Sequence, residues 1–396
     1  MNHTIYAAPP TEPDKLGWRI LLITAVLGFP LLFGVYFCFA HLVSTGDIRF
    51  LMSLLGESLA LGTGAASVYL SLRWLRVHAY MRPSRVHEHF VNAVSLYYVL
   101  MIAITALNAD AVGLFSKGGR LDFYFENDWY RRLVTFSYVP LAIATFLSLH
   151  AMLSPHLAGR RAVYAFNLFL LFLASLMWGS KGAALLSIAS ALGFVFSMRK
   201  LPVMRIGLLI GLATAVYVAV FLLFTTDRYI TLLGIVQRFY LSIDMSILLQ
   251  DRATSELLVD TLGDVWTEVF RNLSAFGVRV SDAPIGALIY DYALSAPEST
   301  GANCRYGSLL LLYPERVDFL IGYPLLVVGT GYMLREFLVA VRLDWAAMVA
   351  LPLFVFQSFQ DVYWYSSHLA PVIFLFGFAQ IARAIRREAI GHPSNA

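Results

Sequence analysis

Arginines and carboxylates crowd one stretch of this chain, residues 227–316, where eleven carboxylates from Asp227 to Glu315 face seven arginines from Arg228 to Arg316. Within it Arg271, Arg279, Arg305 and Arg316 are available to meet an anion, because a guanidinium offers a planar fork of N–H donors that fits phosphate or carboxylate oxygens. The same arginines can instead pair with the carboxylates beside them, and residue type leaves both uses open. From 281 to 307 the span is rich in turn formers, among them Pro284, Gly286, Pro297 and Gly301, interleaved with Asp282, Asp291, Glu298 and Arg305. Loops of this kind on a rigid scaffold are frequent sites of binding and catalysis. A second group stands apart. Glu57 lies about nine residues into an apolar run, and an intramembrane carboxylate is costly and a functional candidate by default. Its neighbours Gly56, Ser58, Gly62 and Gly64 suit close helix packing, with the glutamate bonded across an interface.

The elements that must position these groups are membrane spans. Of 396 residues, 59% are hydrophobic and only 14% charged, and the mean hydropathy is +0.69, outside the range of soluble globular chains. Crossing roughly 30 Å of hydrocarbon at about 1.5 Å per residue takes about twenty apolar residues. Ten runs qualify, at 17–42, 48–72, 90–115, 133–153, 162–178, 183–198, 206–226, 317–339, 346–359 and 369–385. Alternate connections carry Arg73, Arg76, Arg82 and Arg85, then Arg160 and Arg161, then Arg199, Lys200 and Arg205, then Arg335 and Arg342, then Arg383, Arg386 and Arg387. The positive-inside rule makes those loops and both termini cytoplasmic, and 227–316 external. The expected fold is an all-α polytopic membrane protein with about ten transmembrane helices and one large external loop between the seventh and eighth. Residues 1–16 and 386–396 are short cytoplasmic tails around a membrane domain at 17–385. The first sixteen residues lack the pattern of a removable signal peptide. The net charge of +4 is mostly this orientation signal and points to no nucleic-acid partner. Two cysteines, Cys38 and Cys304, exclude a disulfide framework and a Cys-rich metal site. Both fall on the outer side, where a single bridge can form.

Inside the long loop, Leu232, Val236, Phe239, Ile243 and Ile247 share one helix face, opposite Arg238, Asp244 and Asp251. A second stripe, Leu258, Leu262, Val265, Val269 and Leu273, predicts another amphipathic helix, with Asp260, Asp264, Glu268 and Arg271 elsewhere around it. Such helices lie on the bilayer or cap a helix bundle.

At a tight external turn the chain reads Met177-Trp178-Gly179-Ser180-Lys181-Gly182-Ala183-Ala184-Leu185. This resembles the Gly-Ser-Arg-Gly turn and following helix of bacterial oligosaccharide repeat-unit polymerases of the O-antigen polymerase (Wzy) type. A late external loop ending in Gly301-Ala302-Asn303-Cys304-Arg305-Tyr306-Gly307 and leading into Gly322-Tyr323-Pro324 is similar to that family's later half. Lys181 stands where the family usually has arginine, so any contact there is by a point charge and not a bidentate fork. The family's paired arginine and histidine loop motifs have no clean match.

The resemblance implies transfer of a glycan from an undecaprenyl pyrophosphate carrier onto the terminal sugar hydroxyl of another lipid-linked repeat unit, at the outer face of the bacterial inner membrane. It implies a metal-independent glycosyltransferase without a cofactor, partnered by membrane lipid, a chain-length regulator and a flippase. The leaving pyrophosphate needs cations, and Arg279, Arg305, Lys181 and Arg271 are the candidates. The attacking hydroxyl must lose a proton, for which Asp282, Asp361 and His368 are the external candidates. His368 ends a hairpin, 360–368, whose Tyr363, Trp364 and Tyr365 suit either sugar stacking or an interfacial aromatic belt. There is no Walker-type phosphate loop, as expected when the carrier linkage supplies the activation. An O-antigen ligase shares this donor and differs in acceptor. A lipid flippase or transporter is the alternative from another class, and predicts paired charges inside the membrane.

Overall fold

The computed structural model describes residues 13–77, 85–108, 126–152, 161–178, 244–271, 304–340 and 344–391, with isolated positions such as Phe123, Leu273 and Ile285. Every regular element among them is a helix. Helices cover eight of the ten apolar runs; those at 183–198 and 206–226 lie outside the described residues. Among the described residues, five helical segments are long and apolar enough to cross a membrane: Leu27–Thr45, Arg49–Trp74, Glu88–Leu107, Val317–Ala340 and Val362–Ile381.

The first two helices, α1 (Pro13–Thr45) and α2 (Arg49–Val77), form a tight hairpin. Gly46 takes a positive φ of 68° and donates its N–H to Leu42 O, which closes α1 in a left-handed cap that favours glycine. Asp47 then accepts the Arg49 backbone N–H at 3.0 Å and opens α2. Next, α3 (Arg85–Leu107), α4 (Asp128–Met152) and α5 (Arg161–Trp178) pack on one another. Buried polar side chains join them: Ser95 donates to Asn167, and Asn167 donates to Ser148, each at 3.0 Å. In a lipid-facing bundle such bonds substitute for the missing hydrophobic drive between helices.

Three short helices follow, α6 (Asp244–Leu248), α7 (Arg252–Leu262) and α8 (Trp266–Phe270). The stripe from Leu258 to Leu273, expected to be one helix, is two. Gly263 takes φ 70° and ends α7, and Asp264 accepts the Trp266 backbone N–H to start α8. Leu258, Val265 and Val269 still point inward and are buried. Glu268 and Arg271 turn into the molecule as well and are only 3% and 4% exposed.

The turn-rich span ends in α9 (Tyr306–Leu312), all of whose residues are buried. It packs against α2, where Gly56 leaves the space that Leu310 occupies. The last three helices, α10 (Val317–Ala340), α11 (Asp344–Gln360) and α12 (Val362–Gly391), complete the core. Phe356 of α11 lies against Gly64 of α2, and Tyr365 of α12 meets Thr330 of α10 at 2.8 Å through their hydroxyls. The segment 360–368, expected to be an external hairpin, is instead the end of α11, the joint at Asp361 and the opening of α12. Only Asp361 separates α11 from α12, and it accepts the backbone N–H groups of Tyr363 and Trp364. Ser366, Ser367 and His368 lower the apolar count of these first turns, which hides the helix start from a hydropathy reading.

Candidate functional site

The short helix α9 carries a charged group near each end. At its N-terminus Arg305, fully buried, extends between α1 and α2. Its Nη2 donates to Glu57 Oε2 at 2.7 Å and to the Pro30 carbonyl at 2.9 Å. Any Cβ at Gly34 or Gly307 would collide with this pair, so both positions require glycine for reasons of space. The bonded partner expected for Glu57 across a helix interface is thus an arginine 248 residues away in sequence.

At the other end of α9, Tyr313 joins Asp264, Val265, Thr267, Glu268, Arg271, Ile285 and Leu309 around a small cleft of about 10 Å³, room for one water-sized group. Arg271 Nε donates to Glu268 Oε2 at 2.6 Å, and the Ile285 backbone N–H approaches the same oxygen at 3.4 Å. Among the described residues, the other carboxylate oxygen, Glu268 Oε1, has no hydrogen-bond partner, and neither has the Tyr313 hydroxyl. Burial pushes the Glu268 carboxyl up from its ordinary range, against the pull of the Arg271 guanidinium. Burial also raises the Tyr313 hydroxyl to about 12.

Asp361 belongs to the same neighbourhood. The Val362 N–H donates to Cys304 O at 2.6 Å, which ties the start of α12 to the residue before Arg305, and α8 packs on α12. Burial lifts Asp361 to about 7 and the Glu268 charge adds to that rise, while backbone hydrogen bonds from Trp364, Tyr363 and Cys304 oppose it. Cys304 is a free buried thiol, pushed well up by burial and by the nearby Glu268 and Asp361 charges. Cys38 is free as well, lying 3.2 Å from the Ser53 hydroxyl, so no bridge joins the two.

The residues singled out from the sequence therefore separate. Arg271 and Asp361 come together with Glu268 around one cluster. Arg305 faces away, into the α1–α2 interface. His368 is buried two turns into α12, stacked on Trp364 with ring centroids 3.7 Å apart and its Nδ1 2.7 Å from Trp364 O. Trp364 thus stacks on a neighbour of its own helix. Arg316, on the surface, bridges Asp264 at 2.9 Å and Asp318 at 2.8 Å. Lys181, Arg279 and Asp282 lie outside the described residues. Glu268 and Tyr313 were not singled out. The one signal for Glu268 was its spacing of three from Arg271, which suits an ion pair on one helical turn.

No protein-family model matches this chain, and neither a curated protein nor a solved structure is similar to it by sequence or fold comparison.

Proposed function

We propose that this chain is a membrane glycosyltransferase that polymerises lipid-linked oligosaccharide repeat units, moving the growing glycan from an undecaprenyl pyrophosphate carrier to the sugar hydroxyl of another unit. The observation that carries the reading is the Glu268–Arg271 pair beside a small cleft, a buried carboxylate with one oxygen unpartnered among the described residues and a cation held against the other. Glycosyl transfer needs both kinds of group. A preorganised guanidinium stabilises charge developing on a leaving pyrophosphate, worth on the order of a hundredfold or more in rate. A carboxylate whose proton affinity has been raised by burial takes the proton of the incoming hydroxyl. Arg271 is the cation of this reading among the described residues, Arg279 and Lys181 lie outside them, and Glu268 and Asp361 are its acidic groups. The reading carries with it about ten spans, cytoplasmic termini and an external 227–316 segment in the bacterial inner membrane. Purified protein given a lipid-linked repeat unit should build a ladder of products; no glycan transfer to any lipid-linked or lipid A core acceptor would overturn the reading. Transfer to the core acceptor alone would instead make the chain a ligase.

One observation favours a second reading. Glu57 and Arg305 form a charge pair buried among α1, α2 and α9, the kind of paired intramembrane charge that a lipid flippase or transporter predicts. Translocation of a lipid-linked oligosaccharide in proteoliposomes, with no ladder, would decide for it.

A further inference from the structure

Three membrane-length helices end together at one rim of the bundle, and arginines gather there. The apolar segments Arg49–Trp74 of α2, Val317–Ala340 of α10 and Val362–Ile381 of α12 finish beside Arg73, Arg335 and Arg383. Arg335 ties α10 to α2, its guanidinium carbon 4.6 Å from the centre of the Trp74 ring and 5.8 Å from that of Tyr332. Arg383 ties α12 to α10, donating to Glu336 Oε2 at 3.2 Å and to the Glu336 carbonyl at 3.1 Å. Glu336 Oε1 accepts from Arg335 Nη1 at 2.9 Å, so one carboxylate serves two arginines. Arg73 is exposed and has no partner among the described residues. Three guanidinium groups thus stand against one carboxylate, which leaves an excess of positive charge. The negative end of a helix dipole does not absorb it, because that field fades within the last turn and Arg73 and Arg335 stand a full turn or more inside their helix ends.

A guanidinium stacked on aromatic faces keeps its edge N–H groups for a ligand, and Arg335 Nε and Nη2 have no partner among the described residues. Tryptophan and tyrosine at the end of a span mark the headgroup level of a bilayer. From Arg335 back along α10, Tyr332, Val328, Leu325 and Ile321 are all exposed at spacings of three and four, which makes one continuous apolar strip. At about 1.5 Å per residue the strip is about 20 Å long, and one leaflet of hydrocarbon is about 15 Å deep, so it matches an acyl chain. Phosphate donors set above such a strip have the outline of a phospholipid, and the excess positive charge selects an anionic one. We propose that this rim binds an anionic phospholipid, its phosphate held by Arg335 and Arg73 beside Trp74 and an acyl chain lying on the α10 strip. Arg383 takes up Glu336 Oε2 and so limits the hold of that carboxylate on Arg335. The site stands at the opposite end of α12 from Asp361 and does not depend on the glycosyl-transfer reading.

Native mass spectrometry of the full-length protein in detergent, titrated with phosphatidylglycerol or with phosphatidylcholine, reads the Kd of the first lipid bound. Wild type should bind phosphatidylglycerol on the order of tenfold more tightly than phosphatidylcholine. Arg73→Gln and Arg335→Gln should each weaken phosphatidylglycerol about fivefold and leave phosphatidylcholine unchanged. Arg73 has no bond to lose, so its variant reads binding without a cost in fold, and Arg335→Lys, which keeps the charge but not the fork, should recover only part of the loss. Arg252→Gln, which removes a surface charge on α7, is the control and should bind as wild type does. Equal Kd values for the two lipids in wild type, or a preference that survives both glutamine variants, overturn the site. An equal loss in Arg252→Gln would assign the preference to net charge and overturn it too. Inorganic phosphate at the same concentration as the lipid should not displace phosphatidylglycerol; displacement would make the ligand a free phosphate and overturn the lipid.

Discussion

Among the described residues two buried arginine–carboxylate pairs stand out, Glu57–Arg305 and Glu268–Arg271, with N···O distances of 2.7 and 2.6 Å. They match in chemistry and depth and differ in their walls. Glu57–Arg305 is enclosed by helix backbone, with Gly34 and Gly307 pressed so close that no side chain fits. Glu268–Arg271 borders a small cleft and has one oxygen without a partner among the described residues. The contrast teaches that burial alone does not distinguish structural from functional charge. An enclosed pair fixes how helices register, at a desolvation cost of several kcal/mol per ion that only its partner offsets. A pair with an open side can meet a substrate.

The largest test of the contrast removes one partner from each pair. Arg305→Ala strands Glu57 in the bundle and should cost about 3–5 kcal/mol, read as lost folded yield and a lower Tm in detergent, and a Glu57→Leu/Arg305→Met double variant should regain most of it. Arg271→Ala should cost less, about 1–3 kcal/mol, because water can enter the cleft and solvate Glu268. Equal losses would erase the distinction. A smaller effect comes from Gly307→Ala, whose methyl group meets the Glu57 carboxyl; about 1–3 kcal/mol is expected from overpacking. Thr267→Ala, on the cleft wall, should change Tm little, and a drop as large as that of Gly307→Ala would mean that the cleft is as tightly filled as the enclosed pair. The smallest effect is in pH. Asp361 is held at about 7 against an ordinary 3.8, so the folded chain keeps a proton that the unfolded chain releases. Its contribution to stability is therefore fully present at low pH and is lost as pH rises from about 4 through 7. Asp361→Asn, which retains the helix cap, should flatten that slope of Tm; an unchanged slope assigns it to other groups.

The long helices were legible in the sequence because apolar runs of the right length have few other solutions. Their ends were less so, and α12 begins seven residues before its run because Ser366, Ser367 and His368 read as polar while packing inward. The site was legible only in part. Arg271 and Asp361 were named as candidates, but the stripe from Leu258 to Leu273 runs on unbroken through Gly263, so periodicity left Glu268 off the apolar face. Periodicity was equally silent on α9, whose seven residues are buried on every side and have no polar face. The Glu57–Arg305 contact spans 248 positions, and nothing local to either residue announces it.

The joint at Asp361 bears on how such a chain can change over generations. With one residue between α11 and α12, inserting a single amino acid there would turn the second helix by about 100° about its axis relative to the first. Tyr365 would leave Thr330, and Val372 would leave the core. Lineages carrying this fold must therefore vary here by replacement and not by gain or loss of length, so among future relatives the spacing from Gln360 to Tyr365 should be constant where the residues themselves are not.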